Sequence, residues 1–234
     1  MAGHSNTSPV SASGSGGARW RGPGRPPAGS ENKHERILNE AVALFGAHGY
    51  AGTSLADIAA AAEISKAGLL HHFASKEALF AQVLERRDRQ DRASLLGDEL
   101  MDDPWALLDS FVALVEHNTH HRELVAIYTA TTPAVLDPHH PAHAWLSRHL
   151  ETSVAQVEES LERGKAAGTV RAEAPSRLIA RSLMALSDGL QIQWLCSTTP
   201  GTAAAENVRT GMVDEVRLYV DGLKQQWRIE PAGA

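Results

Sequence analysis

Residues 53–80 read TSLADIAAAAEISKAGLLHHFASKEALF, and three serines in this stretch stand where helices can start. Ser54 precedes Leu55, Ile58, Ala59 and Ala62, with Asp57 three residues on, as in a capping box where each partner satisfies an unpaired backbone N–H of the other. Ser65 can cap a second short helix and Ser75 a third, which starts Lys76-Glu77-Ala78-Leu79-Phe80 and runs into a cluster of charges at 86–92. Three caps in so few residues predict short helices packed at steep angles. On a wheel of 100° per residue, Leu69 and Phe73 of the middle helix fall toward Ile58 and Ile64, while Ala67 and His71 fall opposite, flanked by Gly68 and Leu70. That outward face is short-chained or polar. It can approach a large partner closely, as a recognition helix does in a DNA major groove with its N-terminus toward backbone or base edges.

Upstream, Ile37, Leu38, Ala41, Val42, Leu44 and Phe45 recur at three- and four-residue steps, and Gly49 supplies the positive-φ residue that follows many helices. A helix of about four turns from Glu31 is expected. Residues 1–30 carry Gly, Pro or Ser at 17 positions, too little apolar area to offset the entropy of ordering them, and read as a disordered arm. Its basic end, Arg19 to Pro27, contains a Gly-Arg-Pro core of the kind that lies extended in an A·T-rich minor groove. Downstream the prolines sit where helices begin or end: Pro104, the 133–141 connection, Pro175 and Pro200. No stretch alternates with period two, so the chain is expected to be all-α.

Residues 53–80, together with the helix before them, closely resemble the TetR family of bacterial transcriptional regulators. The shared pattern is a helix ending near Gly49-Tyr50, then Thr53-Ser54, Asp57-Ile58-Ala59, Ser65-Lys66 and His72-Phe73-Ala74-Ser75-Lys76-Glu77-Ala78-Leu79. The stretch 187–195, SDGLQIQWL, looks like the helix before the last dimer helix in many members. The resemblance implies an N-terminal three-helix helix-turn-helix DNA-binding domain at 31–78, behind the arm of 1–30. A larger helical ligand-binding and dimerisation domain at 79–230 follows, with about nine helices. It also implies a homodimer on a palindromic double-stranded operator, controlled by a small-molecule effector, most often as a repressor. Thr53 and Ser54 would touch phosphate, Ser65, Lys66, Ala67, Gly68, Leu70 and His71 would approach bases or backbone, and His72 and Lys76 would bind phosphate, with Arg21 and Arg25 reaching out from the arm. Two positions depart from the family: Leu70 stands where a tyrosine is usual, and Glu63 where the turn usually has glycine.

The net charge of −6 argues against nucleic acid only if it is evenly spread. Residues 1–90 hold 10 Lys/Arg against 8 Asp/Glu, and residues 91–234 hold 12 against 20. A handful of cations at phosphates suffices for binding by counterion release. A single recognition helix reads few base pairs, so two are needed about 34–36 Å apart, and dimerisation follows. Leu183, Leu186, Leu190, Met212, Val216 and Tyr219 lie at helical spacing on the last two long helices and are the expected dimer seam. Trp105, Phe111, Tyr128, Trp145, Gln191 and Trp194 are the expected lining of an effector pocket, where aromatic walls meet a few polar groups.

Seven of the twelve histidines fall between 117 and 149, and His117 with His121 has ligand-like i, i+4 spacing. Only Glu116, Glu123 and Asp137 accompany them and the lone cysteine, Cys196, is far off, so neither a metal nor a cofactor is assigned. The alternative reading is a dimeric small-molecule or metal sensor whose DNA-binding head is weakened by Leu70 and Glu63. No nucleophile motif, phosphate loop or paired catalytic carboxylates mark an enzyme. With no membrane-length apolar run and no signal block, a cytoplasmic protein without membrane contact is expected.

Overall fold

The computed structural model describes residues 28–95, 100–132, 136–198 and 211–230, and all nine helices below belong to them. Helix α1, Ala28–Gly52, starts three residues before the expected Glu31 and buries Ile37, Leu38, Ala41, Val42 and Phe45. Gly49 breaks it with φ +70°, as its place after the last apolar turn predicts. Helices α2, Leu55–Ala61, and α3, Lys66–His72, follow, and α4, Lys76–Leu95, then runs without a break past the expected domain boundary at 78.

The remainder packs as α5, Pro104–Thr119; α6, Arg122–Ala130; α7, His143–Ala166; α8, Ser176–Ser197; and α9, Met212–Trp227. Asp103 caps α5 by accepting from the N–H groups of Trp105 and Ala106, and Pro104 opens the helix where its missing N–H costs nothing. The arm at 1–27, with Arg21 and Arg25, lies outside the described residues. Among the described residues there is no strand, only an isolated antiparallel bridge between Val170 and Arg228 that ties the end of α9 to the turn before α8.

Two apolar cores form. The first joins the inner faces of α1 to α4 with Ile127 and Tyr128 of α6, Ala142, and Trp145 and Leu146 of α7. The second unites α5, α7, α8 and α9 around Leu108, Leu161, Leu183, Val216 and Val220. The head is thus wedded to the body through α4 and α6. Gly46 marks how tightly: a Cβ there would lie 2.7 Å from the Glu123 Cβ and 3.0 Å from its Cα, so α1 and α6 meet almost backbone to backbone.

Candidate nucleic-acid interface and internal cavity

Helix α3 is positioned by its own sequence. Ser65 caps it, its hydroxyl accepting from the Gly68 N–H at 3.0 Å, and Leu69 and Phe73 are fully buried beneath it. Lys66, Ala67 and His71 are exposed on the opposite face, with Leu70, 41% exposed, beside them. Gly68 has a local reason to be glycine as well, since a Cβ would stand 3.2 Å from the Ser65 hydroxyl and crowd the cap. His72 is half-buried, and His34 of α1 lies edge-on to it while stacking on Phe73. Burial, reinforced by the neighbouring His34, His71 and Lys33, holds the His72 imidazolium less stable than usual and pushes its pKa down.

Before α2 the capping box is complete: the Ser54 hydroxyl accepts from the Asp57 N–H, and the Asp57 carboxylate accepts from the Ser54 N–H at 3.0 Å and hydroxyl at 2.6 Å. The Ser54 side-chain and backbone bonds hold the Asp57 carboxyl below the usual carboxylate range. Thr53 is placed differently from expectation. It is only 2% exposed, and its hydroxyl faces the carbonyls of Gly49 at 2.9 Å and Leu44 at 3.1 Å, so it closes the end of α1 and is withdrawn from any phosphate. Lys76 lays its ammonium over the Tyr50 ring, 4.2 Å from the centroid, and the Tyr50 hydroxyl donates to Glu77. Glu63, in the turn between α2 and α3, has φ +53°, the one positive φ outside glycine among the described residues. The position usually given to glycine is therefore a left-handed one, and this chain fills it with a side chain that disfavours it.

A cavity of about 430 Å³ opens among α4, α5, α6, α7 and α8. Phe111, Tyr128, Trp145 and Gln191 line it. Trp105 and Trp194 do not: Trp105 is buried in the second core with its indole N–H on the Thr169 carbonyl, and Trp194 packs against that same core from outside the cavity. An indole is drawn to any apolar site with one acceptor, so its presence alone does not mark a pocket.

The charged side of the cavity is not among the expected lining residues. Arg87 is 6% exposed; its guanidinium lies over the Tyr128 ring at 4.8 Å, and its Nε stands 3.5 Å from the Asp91 carboxylate. Asp88 accepts from the Trp145 indole N–H at 2.9 Å and faces the His149 ring nitrogen at 3.1 Å, while the Tyr128 hydroxyl donates to Asp188 at 2.9 Å. Desolvation raises the pKa of both Asp91 and Asp188 against the opposing pull of Arg87. The signal that could have found them is spacing: Phe80, Leu84, Arg87 and Asp91 fall at 4-3-4 steps, so the buried stripe of α4 runs straight on into charged residues.

Of the six expected seam residues, Leu183, Leu190, Met212 and Val216 are buried inside a single chain, and Leu186 and Tyr219 pack against the same core. On its outer side α8 also carries a line of small and apolar groups, Leu178, Ser182, Ala185, the half-buried Gly189, Ile192 and Cys196, at 4-3-4-3-4 spacing, flanked by the exposed Arg181 and Gln193, with Leu218 of α9 75% exposed. His117 and His121 have ring centroids 4.5 Å apart, but no three His, Cys, Asp or Glu residues among the described ones converge as a metal-binding group. Nor is any described helix long and apolar enough to cross a membrane.

The family model of bacterial regulatory proteins of the tetR family matches residues 37–83, the stretch from α1 into α4. The transcriptional repressor DhaR of a Mycobacterium species is 27% identical over 66% of this chain and 78% of its own. The regulatory protein RaaS of Mycobacterium tuberculosis is 27% identical over 81% and 86%. The negative regulator of the biofilm operon icaADBC in Staphylococcus aureus, IcaR, is 44% identical over 51 residues, 22% of this chain and 27% of its own. In fold, a TetR regulator from Chloroflexus aurantiacus superposes with a TM-score of 0.64 at 22% identity, covering 86% of this chain and 99% of that one. GusR of Salmonella enterica does so at 0.60 and 23%, covering 83% and 96%. Residues 37–83 are thus similar to the DNA-binding region of the tetR family of bacterial regulatory proteins, the relatives that match more of the chain are HTH-type transcriptional regulators, and the fold is that of solved TetR-family regulators.

Proposed function

We propose that this protein is a homodimeric repressor that holds a palindromic operator through two copies of α3 and is released by a small molecule entering the cavity between α4 and α8. The observation that carries it is the division of α3: Leu69 and Phe73 sealed below, and Lys66, Ala67, Leu70 and His71 presented outward from a capped N-terminus. The names of DhaR and IcaR, a repressor and a negative regulator, support the direction of control. In this reading Lys66 and Ser54 meet phosphate, His71 meets base edges, and Leu70 offers a methyl-bearing surface to thymine. Thr53 has no such part, for its hydroxyl is turned into the protein.

Two heads require two chains, and the line from Leu178 to Cys196 on α8 is the surface we assign to the second copy. It is small and apolar, it is exposed except at the half-buried Gly189, and its small residues let two identical helices approach closely. Release works through α4 and α6, which carry cavity residues at one end and the core of the head at the other. A ligand that fits one head spacing better than another shifts the population between them.

Gel shift with the DNA upstream of the protein's own gene tests the reading. A shift that survives competitor and weakens steeply with salt is expected. Lys66→Ala should lower affinity for all sequences and flatten the salt slope by about one unit, whereas His71→Ala should change sequence preference. A shift without salt dependence, or identical behaviour of the two variants, overturns the division of labour on α3. Ile192→Asp should give monomers in light scattering, and persistent dimers would move the interface elsewhere.

A further inference from the structure

Arg87 and Gln191 face the same cavity, each more than nine-tenths buried, and each carries polar atoms with no hydrogen-bond partner among the described residues, the Arg87 Nε having only the ion pair with Asp91. On Arg87 these are Nε and Nη1, both donors; on Gln191 it is Oε1, an acceptor, while its Nε2 lies 3.5 Å from the Ser187 hydroxyl. Burying a donor or an acceptor without a partner costs about 1–3 kcal/mol, so a site that keeps one of each invites a molecule that supplies both. Charge narrows the choice. An anion placed at Arg87 would meet Asp91, whose carboxylate is 3.5 Å from the Arg87 Nε, and beyond it Asp88 and Asp188. A net charge of either sign would face like charge as well as opposite, for Arg87, Arg89 and Arg148 share the lining with Glu85, Asp88, Asp91 and Asp188. The other walls set apolar side chains, Phe111, Leu107, Leu114 and Val157 among them, beside the uncharged polar groups of Asn118, Thr152 and Ser153.

We propose that the cavity takes an uncharged, largely apolar molecule bearing both a hydrogen-bond acceptor and a donor, its carbonyl or hydroxyl oxygen toward Arg87 and its N–H or O–H toward the Gln191 Oε1. This rests on the reading of the cavity as the effector site. An amide, a lactam or a hydroxyketone on an aromatic or alicyclic body meets both demands. Arg87 then links the ligand to the head, because α4 carries it one turn beyond Leu84 of the head core and its guanidinium already lies over Tyr128 of α6.

Three probes of matched shape and different charge test the proposal by calorimetry on the full chain without DNA: 1-naphthylacetamide, 1-naphthylacetate and 1-naphthylmethylammonium. The amide should bind at least about tenfold more tightly than either charged probe. Gln191→Leu should lower amide affinity about tenfold while the melting temperature of the free protein holds or rises, since leucine fills the space without an unpaired carbonyl. A charged probe that matches the amide, an absence of binding by all three, or an unchanged amide affinity in Gln191→Leu overturns the proposal. A melting temperature that falls in Gln191→Leu overturns it too, by showing that Oε1 is satisfied within the protein. The gel shift is run without any probe, so loss of DNA binding counts against the regulator reading and leaves the calorimetric result standing.

Discussion

In residues 53–80 each serine that opens a helix has its hydroxyl on the backbone N–H three residues on, Ser54 to Asp57, Ser65 to Gly68 and Ser75 to Ala78. In the cavity, the Arg87 and Gln191 side chains come from distant helices and keep buried polar atoms without hydrogen-bond partners. The helix starts of the head therefore complete their hydrogen bonding locally, although Arg36 of α1 also keeps a buried Nε without a hydrogen-bond partner. The cavity of the body leaves hydrogen bonds open, and under the proposed function that is where a second molecule would gain differential affinity for one state. The two regions are joined by α4 and α6.

The comparison breaks most visibly if the head can lose its core cheaply. Phe80 is 2% exposed, edge-on to Phe45 at 5.1 Å and against Tyr50 at 4.8 Å. Phe80→Ala should cost about 3–5 kcal/mol in denaturant unfolding. A loss no greater than that of a surface substitution would show the head to be plastic, contrary to its sealed appearance. Next in size is Gly46→Ala, which drives a methyl into the Glu123 backbone where α1 crosses α6. About 1–3 kcal/mol should be lost, seen as a lower melting temperature, because neither helix can yield without moving the head against the body. A neutral result would mean that α1 and α6 slide easily, and that the junction is not the stiff link the first core implies.

The same contrast explains what could be read in advance. Caps and helix faces depend on residues three or four apart, so α2, α3 and the start of α4 were legible, as was the positive φ at Gly49. Thr53 was misjudged because threonine and serine both cap helices, and only the fold shows that Ser54 takes the cap while Thr53 turns back to the Gly49 carbonyl. The cavity was half legible. Phe111, Tyr128, Trp145 and Gln191 are the side chains a pocket favours, whereas Arg87 and Asp91 sat in a run of charges that looks solvated until the turn of α4 is followed. The expected dimer seam is limited for a related reason. Leucines and valines at helical spacing mark burial, not the chain that does the burying, and the outer line on α8 contains Ser182, Ala185 and Gly189, which hydropathy passes over.

Ser65→Ala sharpens the local half of the contrast. Removing the hydroxyl frees the Gly68 N–H at the start of α3 and should cost about 1 kcal/mol, measurable by denaturant unfolding. DNA affinity should fall with it if the cap is what fixes the helix N-terminus against the duplex. If affinity holds, α3 is positioned by Leu69 and Phe73 alone.

The smallest effect is expected where the head departs from its own tidiness. Glu63 holds φ +53° in the turn that orients α3 on α2, a conformation that costs an ordinary L-residue about 1–2 kcal/mol. Glycine there would remove that strain but add roughly 0.5–1 kcal/mol of chain entropy lost on folding. Glu63→Gly should therefore gain between about 0 and 1.5 kcal/mol of stability, and it should strengthen DNA binding at low salt by taking an exposed negative charge from beside α3. The two readouts separate the causes. Glu63→Gln keeps the strained backbone and removes only the charge, so it should reproduce the affinity gain without the stability gain. If Glu63→Gln stabilises as much as Glu63→Gly, electrostatics and not the left-handed turn is what the glutamate costs the head.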